Sequence, residues 1–319
     1  MKGQLKIAGM IAVVMMMFLI TSSAAYAAGA VEPLVTTQWV AGNIKSIKLI
    51  DVSKKGYAKG HIPGAVQLKW GSEVFAPETD HMVLGLAEIE RVMAKMGVTR
   101  DQHIVLYDGD GKAHHVTRVY WTLKYWNFPR VSVMDGGIGL WKKEQRPVTT
   151  EVTRAGRTEV EVEFPPKSKI RAMYSPDIIN ALATGKAVIV DSRAEPFYRG
   201  DVYSLNKWVR SGHITGAVNV PTMNSLNKDK TFKSVAELKA MYEKAGITAD
   251  KNIITYCDTG VLATHSWFVL TELLGYKNVK VYDGSMREYA NRFDTPMQPG
   301  IVAEKFPKTP IQQLEEKIR

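Results

Sequence analysis

The chain predicts an α/β fold built twice in tandem, each copy a parallel sheet with helices on both faces. Three observations carry that expectation. The first is a repeat without gaps: Leu86 to Asp108 and Val235 to Cys257 share one pattern, and their ends lie 257 − 108 = 149 residues apart. The second is the alternation of β-prone apolar runs with helical patterns in each copy, which implies crossover connections and a sheet covered on both faces. The third is a set of paired turns. Gly60-His61-Ile62-Pro63-Gly64 matches Gly212-His213-Ile214-Thr215-Gly216, and Asp135-Gly136-Gly137 matches Asp283-Gly284-Ser285.

The N-terminus stands apart from both copies. Lys2 and Lys6 precede an uncharged apolar run from Ile7 to Ile20, and Ala25-Tyr26-Ala27 follows. A basic start, a short apolar core and a small-x-small ending form a secretory signal pattern. Residues 1–27 are therefore expected to be a signal peptide cleaved after Ala27, which leaves a periplasmic or secreted chain with no stable membrane anchor. The run is too short to favour a spanning helix, and its retention as an anchor is the alternative.

The first domain is expected over residues 28–150. Leu49-Ile50-Asp51 reads as a strand and the Gly-His turn follows it. The helical pattern from Leu86 stops at Gly97, a polar turn holds Asp101, and Ile104 to Tyr107 forms a buried strand. Residues 151–170 are polar and alternating and contain Pro165-Pro166, a linker composition. The second domain is expected over residues 171–299, with Ile189-Val190-Asp191 as its matching strand and Gly246 as its matching helix stop. Residues 300–319 have little core-forming pattern and read as a tail.

The copies differ where chemistry would be carried out. Asn252 to Trp267 reads as a strand, a tight loop and a helix start, and Cys257 is the single cysteine of the chain. A loop entering a helix N-terminus offers backbone N–H groups and the positive end of the helix dipole. A sulfur held there is expected to be pushed towards thiolate, the nucleophilic form. One cysteine cannot form an intrachain disulfide, and an exported chain with one unpaired thiol has either buried it or put it to use. In the first copy Asp108 stands in the place of Cys257. Its loop, Gly109-Asp110-Gly111-Lys112, has no sulfur and places its glycines differently, so that copy is read as inactive and as one wall of a cleft. His114 and His115 follow that loop, but neither a Cys nor a third His lies nearby in sequence, so no metal is expected.

The formal net charge is +10, and loss of Lys2 and Lys6 leaves 10 − 2 = +8. Basic residues are scattered rather than set in a stripe, so no nucleic-acid partner is expected. A mild positive field helps to draw small anionic substrates, and a plain solvated basic surface explains the same charge.

The chain from about Val35 to Pro299 resembles the rhodanese family, the two-domain sulfurtransferases. The matching marks are the Asp191-Ser192-Arg193 triplet, the Gly212-His213-Ile214 turn, the loop Cys257 to Leu262 and the Asp283-Gly284-Ser285 turn. An aspartate at the place of Asp108 also fits the family pattern. The resemblance implies two tandem rhodanese-like domains and ping-pong transfer of a sulfane sulfur, with Cys257 as the catalytic nucleophile and a persulfide intermediate. It implies a small anionic donor such as thiosulfate or 3-mercaptopyruvate, a thiol or cyanide acceptor, and no cofactor.

The substrate-binding residues it implies are Arg193, Asp258, Thr259, Gly260, Val261 and Leu262. Backbone N–H groups from Asp258 to Ala263 would cradle the persulfide, and Arg193 would bind the anionic donor, a structural ion pair with Asp191 or Glu195 being its alternative. Asp258 departs from the basic loop of thiosulfate users and is expected to raise the thiol pKa and oppose a dianion. The first domain departs too, with Asp51-Val52-Ser53 where the second has an arginine triplet.

Two rival functions follow from the same residues. Cysteine phosphatases of related fold place an arginine six residues after the cysteine, where this chain has Ala263. A persulfide carrier that hands sulfur to a partner without turnover remains as the alternative to an enzyme. For export, the intact mass of the exported protein is expected to begin at Ala28; a mass that includes residues 1–27 would mean an anchor.

Overall fold

The computed structural model describes residues 31–77, 81–202 and 209–301. The expected signal peptide and its cleavage after Ala27, and the expected tail beyond residue 301, fall outside the described residues. The first copy runs β1 (Leu34–Val35), α1 (Thr37–Asn43), β2 (Lys48–Ser53), β3 (Val66–Lys69), α2 (Leu86–Lys95), β4 (Ile104–Asp108), α3 (Ala113–Tyr125), β5 (Val131–Met134) and α4 (Gly137–Lys143). The second runs β6 (Arg171–Ala172), α5 (Ile179–Thr184), β7 (Ala187–Asp191), α6 (Glu195–Arg199), β8 (Ser211–Ile214), β9 (Val218–Asn219), α7 (Val235–Lys244), β10 (Asn252–Tyr256), α8 (Val261–Phe268), β11 (Val279–Tyr282), α9 (Ser285–Tyr289) and β12 (Met297–Ile301).

Each copy contributes a five-stranded parallel sheet, in the orders β1-β5-β4-β2-β3 and β6-β11-β10-β7-β9. The orders correspond strand for strand, as the repeat requires. The edge strands β3 and β9 after the Gly-His turns are additions to the sequence reading. They are only four and two residues long, too short to show a period of their own. β12 pairs antiparallel with β8 outside the main sheets and carries the second domain two residues past Pro299.

Alternation along the central strands divides the core. Leu49, Val105 and Tyr107 face one way and pack with Val40, Ile138 and Trp141. Ile50, Ile104 and Leu106 face the other way. In the second copy Ile254 and Tyr256 face outward to Tyr282, Met286 and Tyr289, while Ile253 and Val281 face inward. The two inward faces form one continuous core with α3 and α8 between them, and Tyr120 meets Phe268 edge to face at 4.9 Å. The linker belongs to the first copy. Val162 is buried in that shared core, the Thr158 N–H reaches the Ala94 carbonyl at 3.2 Å, and the Val162 N–H reaches Glu90 at 3.1 Å.

Matched residues do matched work in both copies. Tyr107 and Tyr256 are 149 positions apart (256 − 107), and each hydroxyl accepts an N–H from its own Gly-His turn, that of Ile62 at 3.1 Å and that of Ile214 at 3.2 Å. His61 stacks on Tyr57 and His213 on Tyr198. These histidines brace turns. His115 stacks on Trp70 at 3.5 Å, and among the described residues no three His, Cys, Asp or Glu side chains converge in a way that could hold a metal ion.

Candidate active site

Parallel strands leave their C-terminal ends at one edge, and β10 and β7 are neighbours with Tyr256 in register with Asp191. The loops that follow them, Cys257 to Gly260 and Ser192 to Ala194, are therefore side by side. Cys257 is buried and faces the shared interdomain core. Gly260 caps α8 with φ of +77°, a left-handed conformation that brings the chain round into the helix without strain. A side chain there would also collide, since a Cβ would lie 2.7 Å from the Asp283 carbonyl oxygen.

The loop is fastened from outside. The Ser285 hydroxyl accepts the N–H groups of Cys257 and Gly260, both at 3.1 Å, and donates to the Tyr282 carbonyl at 2.8 Å. The Met286 and Arg287 N–H groups bond to the carbonyls of Cys257 and Asp258 at 3.0 and 2.9 Å. Thr222 donates to the Leu262 carbonyl at 3.1 Å. With the carbonyls held outward, the N–H groups of Ala263, Thr259 and Leu262 act on the Cys257 sulfur. Thr259 and Leu262 are half-buried, and Val261 is buried beside them.

The resting thiol departs from the sequence expectation of a depressed pKa. Burial, and then the Asp258 carboxylate, push it up to about 11 against the pull of those N–H groups. The helix N-terminus stabilises negative charge at the sulfur, but desolvation of a buried sulfur outweighs it.

Arg193 is built into the fold. It is buried, its Nη2 donates to Asp191 Oδ2 at 2.6 Å and to the Gly212 carbonyl at 2.8 Å, and its Nε reaches both Asp191 oxygens. The fork assigned from sequence to an anionic donor is thus occupied by Asp191 and Gly212, the ion-pair alternative. Its Nη1 faces Asp258 Oδ1 at 3.6 Å. Burial disfavours the Arg193 charge, but Asp191 more than restores it and its pKa is raised. Tyr256 completes the group, donating to Asp191 at 2.6 Å.

The Asp108 loop corrects one sequence reading. Gly111 has φ of +76° and stands at the repeat position of Gly260 (111 + 149 = 260), so the decisive glycine is shared. The differences lie around it. Gly137 stands where Ser285 fastens the cysteine loop (285 − 137 = 148), and Ser53 stands in the triplet where the second copy has Arg193. The cavity at Asp108 is only about 10 Å³ and is lined by Val116, Met134 and, from the second domain, Phe232. Burial raises the Asp108 pKa to about 6.

Sequence reasoning missed the roles of Ser285, Asp283 and Arg118. Arg118, on α3 of the first domain, donates to Asp283 Oδ1 at 2.6 Å, and both are buried. The signal for Ser285 was present: of two aligned turns, only the one beside the cysteine carries a hydroxyl.

The rhodanese-like domain family matches residues 36–144 and again residues 176–292. The chain belongs to the rhodanese family. Among its relatives, the sulfur carrier protein TtuD of Thermus thermophilus is 37% identical over 84% of this chain and 97% of its own. A Mycolicibacterium smegmatis protein named "Putative thiosulfate sulfurtransferase" is 34% identical over 84% of this chain and 98% of its own. In three dimensions this rhodanese resembles the anaerobic ergothioneine biosynthesis enzyme of Chlorobium limicola, with a TM-score of 0.75 over 85% of this chain and 71% of that one. At 23% identity that likeness establishes the shared fold.

Two outcomes follow from the burial of these charges. The folded Asp108 carboxyl holds its proton more tightly than the unfolded one, so its destabilising effect is absent below about pH 4 and grows as pH rises through about 6. Asp108→Asn is therefore expected to raise Tm by a few degrees at about pH 8 and to change it little at about pH 4, measured by thermal denaturation. Arg193→Ala leaves Asp191 buried without its ion pair and is expected to cost on the order of 3–5 kcal/mol of stability in urea unfolding. Normal stability with weakened use of an anionic donor would return Arg193 to donor binding.

Proposed function

We propose that this rhodanese is a sulfurtransferase that carries a sulfane sulfur on Cys257. The observation that carries this reading is the place of Cys257, buried at the entry to α8 in a loop whose Cys257 and Gly260 N–H groups are fixed on the Ser285 hydroxyl, with the Ala263, Thr259 and Leu262 N–H groups favouring negative charge on its sulfur. The Cys257 thiolate attacks the outer sulfur of a small donor. With thiosulfate, the new S–S bond forms as the old one breaks, and sulfite leaves with the electron pair. The terminal sulfur of the persulfide is then taken by a thiol or cyanide, which returns Cys257 as thiolate. The relatives' names support donor and acceptor chemistry of this kind. The N–H groups stabilise negative charge on the sulfur in both half-reactions without a change in the loop.

Asp258 tunes the donor. Its carboxylate raises the thiol pKa and lies across from Arg193 Nη1, so a dianion meets a negative group at the sulfur. The protein acts outside the cytoplasm, a placement supported by the leader pattern of residues 1–27.

A second reading, a persulfide carrier without turnover, is supported by one finding: the 37% identical Thermus thermophilus relative is named a sulfur carrier protein. Intact mass after exposure to thiosulfate or 3-mercaptopyruvate separates these. One added sulfur, absent from Cys257→Ser, with continuous turnover to cyanide or thiol is the enzyme. One added sulfur that stays bound until a protein partner removes it is the carrier, and no added sulfur overturns both readings. In the same assay Asp258→Asn is expected to raise kcat/KM for thiosulfate roughly fivefold, equivalent to about 1 kcal/mol for a partly exposed charge. Unchanged thiosulfate kinetics across a salt series would remove Asp258 from donor selection.

A further inference from the structure

We propose that Arg118, a residue of the cysteine-free domain, is a positioning residue for the Cys257 loop. The inference deepens the sulfur-transfer reading and rests on it for the choice of site. Arg118 is fully buried on α3, with its guanidinium near the rings of Phe75 and Trp121 at 5.3 and 5.2 Å. Nη1 donates to Asp283 Oδ1 at 2.6 Å, and Nη2 donates to the His81 carbonyl at 3.0 Å. Asp283 Oδ2 also accepts the Val83 N–H at 2.9 Å and has Arg171 at 3.3 Å. The first domain thus grips this carboxylate through both Arg118 and Val83.

Arg118 and Asp283 together form the floor under Gly260. A Cβ placed on Gly260 would lie 3.0 Å from Arg118 Nη1 and 3.0 Å from Asp283 Oδ1. Two residues beyond Asp283 is Ser285, whose hydroxyl holds the N–H groups of Cys257 and Gly260. The path from the first domain to the sulfur is short: guanidinium, carboxylate, turn, hydroxyl, loop. A small displacement of the carboxylate tilts the turn and with it the N–H groups aimed at Cys257, and geometry of that kind governs rate steeply.

The repeat supplies an internal comparison. Asp135, the counterpart of Asp283, accepts the Phe232 N–H at 2.9 Å, and Phe232 is the counterpart of Val83 (232 − 83 = 149). Among the described residues, that half of the interface has the same carboxylate contact without an arginine on Asp135. The counterpart of Arg118 is Trp267 (118 + 149 = 267), whose Nε1 donates to the Val279 carbonyl. That indole N–H bonds within its own domain, so the repeat position carries no cation, and a buried ion pair gives little net stability over well-packed apolar groups. Among the described residues the charged pair occurs on the half that faces a reactive cysteine and not on the other, which points to geometry rather than stability as its role.

The experiment compares Asp283→Asn with Asp135→Asn and adds Arg118→Met and Arg118→Lys. Each variant is measured for Tm, for the pH profile of Cys257 alkylation by iodoacetamide, and for the rate of persulfide loading from thiosulfate. The expected result is that Asp283→Asn and Arg118→Met shift the alkylation profile to higher pH and slow loading by about 10- to 100-fold, with KM moving far less. Arg118→Lys is expected to recover part of the loading rate, and Asp135→Asn is expected to leave profile and loading as in the native protein. Should Arg118→Met not fold, the two isosteric carboxamide variants decide. Equal behaviour of Asp283→Asn and Asp135→Asn, or a native alkylation profile in folded Arg118→Met, overturns the proposal. Alkylation needs no sulfur donor, so a shifted profile with no persulfide in any protein sinks the sulfur-transfer reading and leaves the positioning role standing.

Discussion

Two backbone N–H groups of the cysteine loop, those of Cys257 and Gly260, converge on one acceptor, the Ser285 hydroxyl. That contact decides where the other N–H groups of the loop point. A loop of this length has several ways to turn into a helix, and the left-handed Gly260 only makes one of them free of strain. Ser285 selects it. The carbonyls of Cys257 and Asp258 are then taken up by the first N–H groups of α9, so the loop carries its donors inward and its acceptors away from the sulfur. An anion-binding concavity made of backbone is rigid because its geometry is fixed at both ends.

The same enclosure sets the electrostatic problem of the site. Water is excluded from Cys257, so the thiol is held in its neutral form by burial while the N–H groups favour the charged one. Asp258 adds to the burial effect, and Arg193 stands between Asp258 and Asp191. The arginine therefore serves a carboxylate on each side. It fixes the loop after β7 against the loop after β10 and partly offsets a negative charge beside the nucleophile.

Much of this was legible in the sequence, for reasons that differ by element. The repeat from Leu86 to Asp108 and from Val235 to Cys257 fixed the tandem architecture, because helix period, glycine stop and buried strand all recur in one register. Cys257 stood out as a lone cysteine at a strand end. The environment of Arg193 was not legible: a triplet shows that Asp191 and Arg193 are neighbours, but not that burial commits the guanidinium to the carboxylate and to Gly212. The raised thiol pKa was hidden for the same reason, since desolvation is a property of the packed interior. Arg118 was out of reach, because its partner Asp283 lies 165 positions away in the other domain.

The copy without a cysteine is held in place by the hydrophobic effect before any chemistry is considered. The inward faces of the two sheets share one core, in which Trp121, Tyr120 and Phe128 of the first copy lie with Trp267, Phe268 and Leu270 of the second. A single copy would expose that face, and an apolar surface of this kind needs a partner in water. Duplication supplies the partner from the same chain. Once both copies are locked together, their loops meet at two related places, and only one of them needs a nucleophile. The other is free to close: Phe232 seals the small cavity at Asp108, and Asp135 ties the Phe232 N–H across the interface. On the reactive side the same contact, between Asp283 and the Val83 N–H, becomes part of the support under the cysteine loop. Two copies of one fold thus take up different roles through a few substitutions at matched positions: Cys257 for Asp108, Ser285 for Gly137 and Arg118 for Trp267.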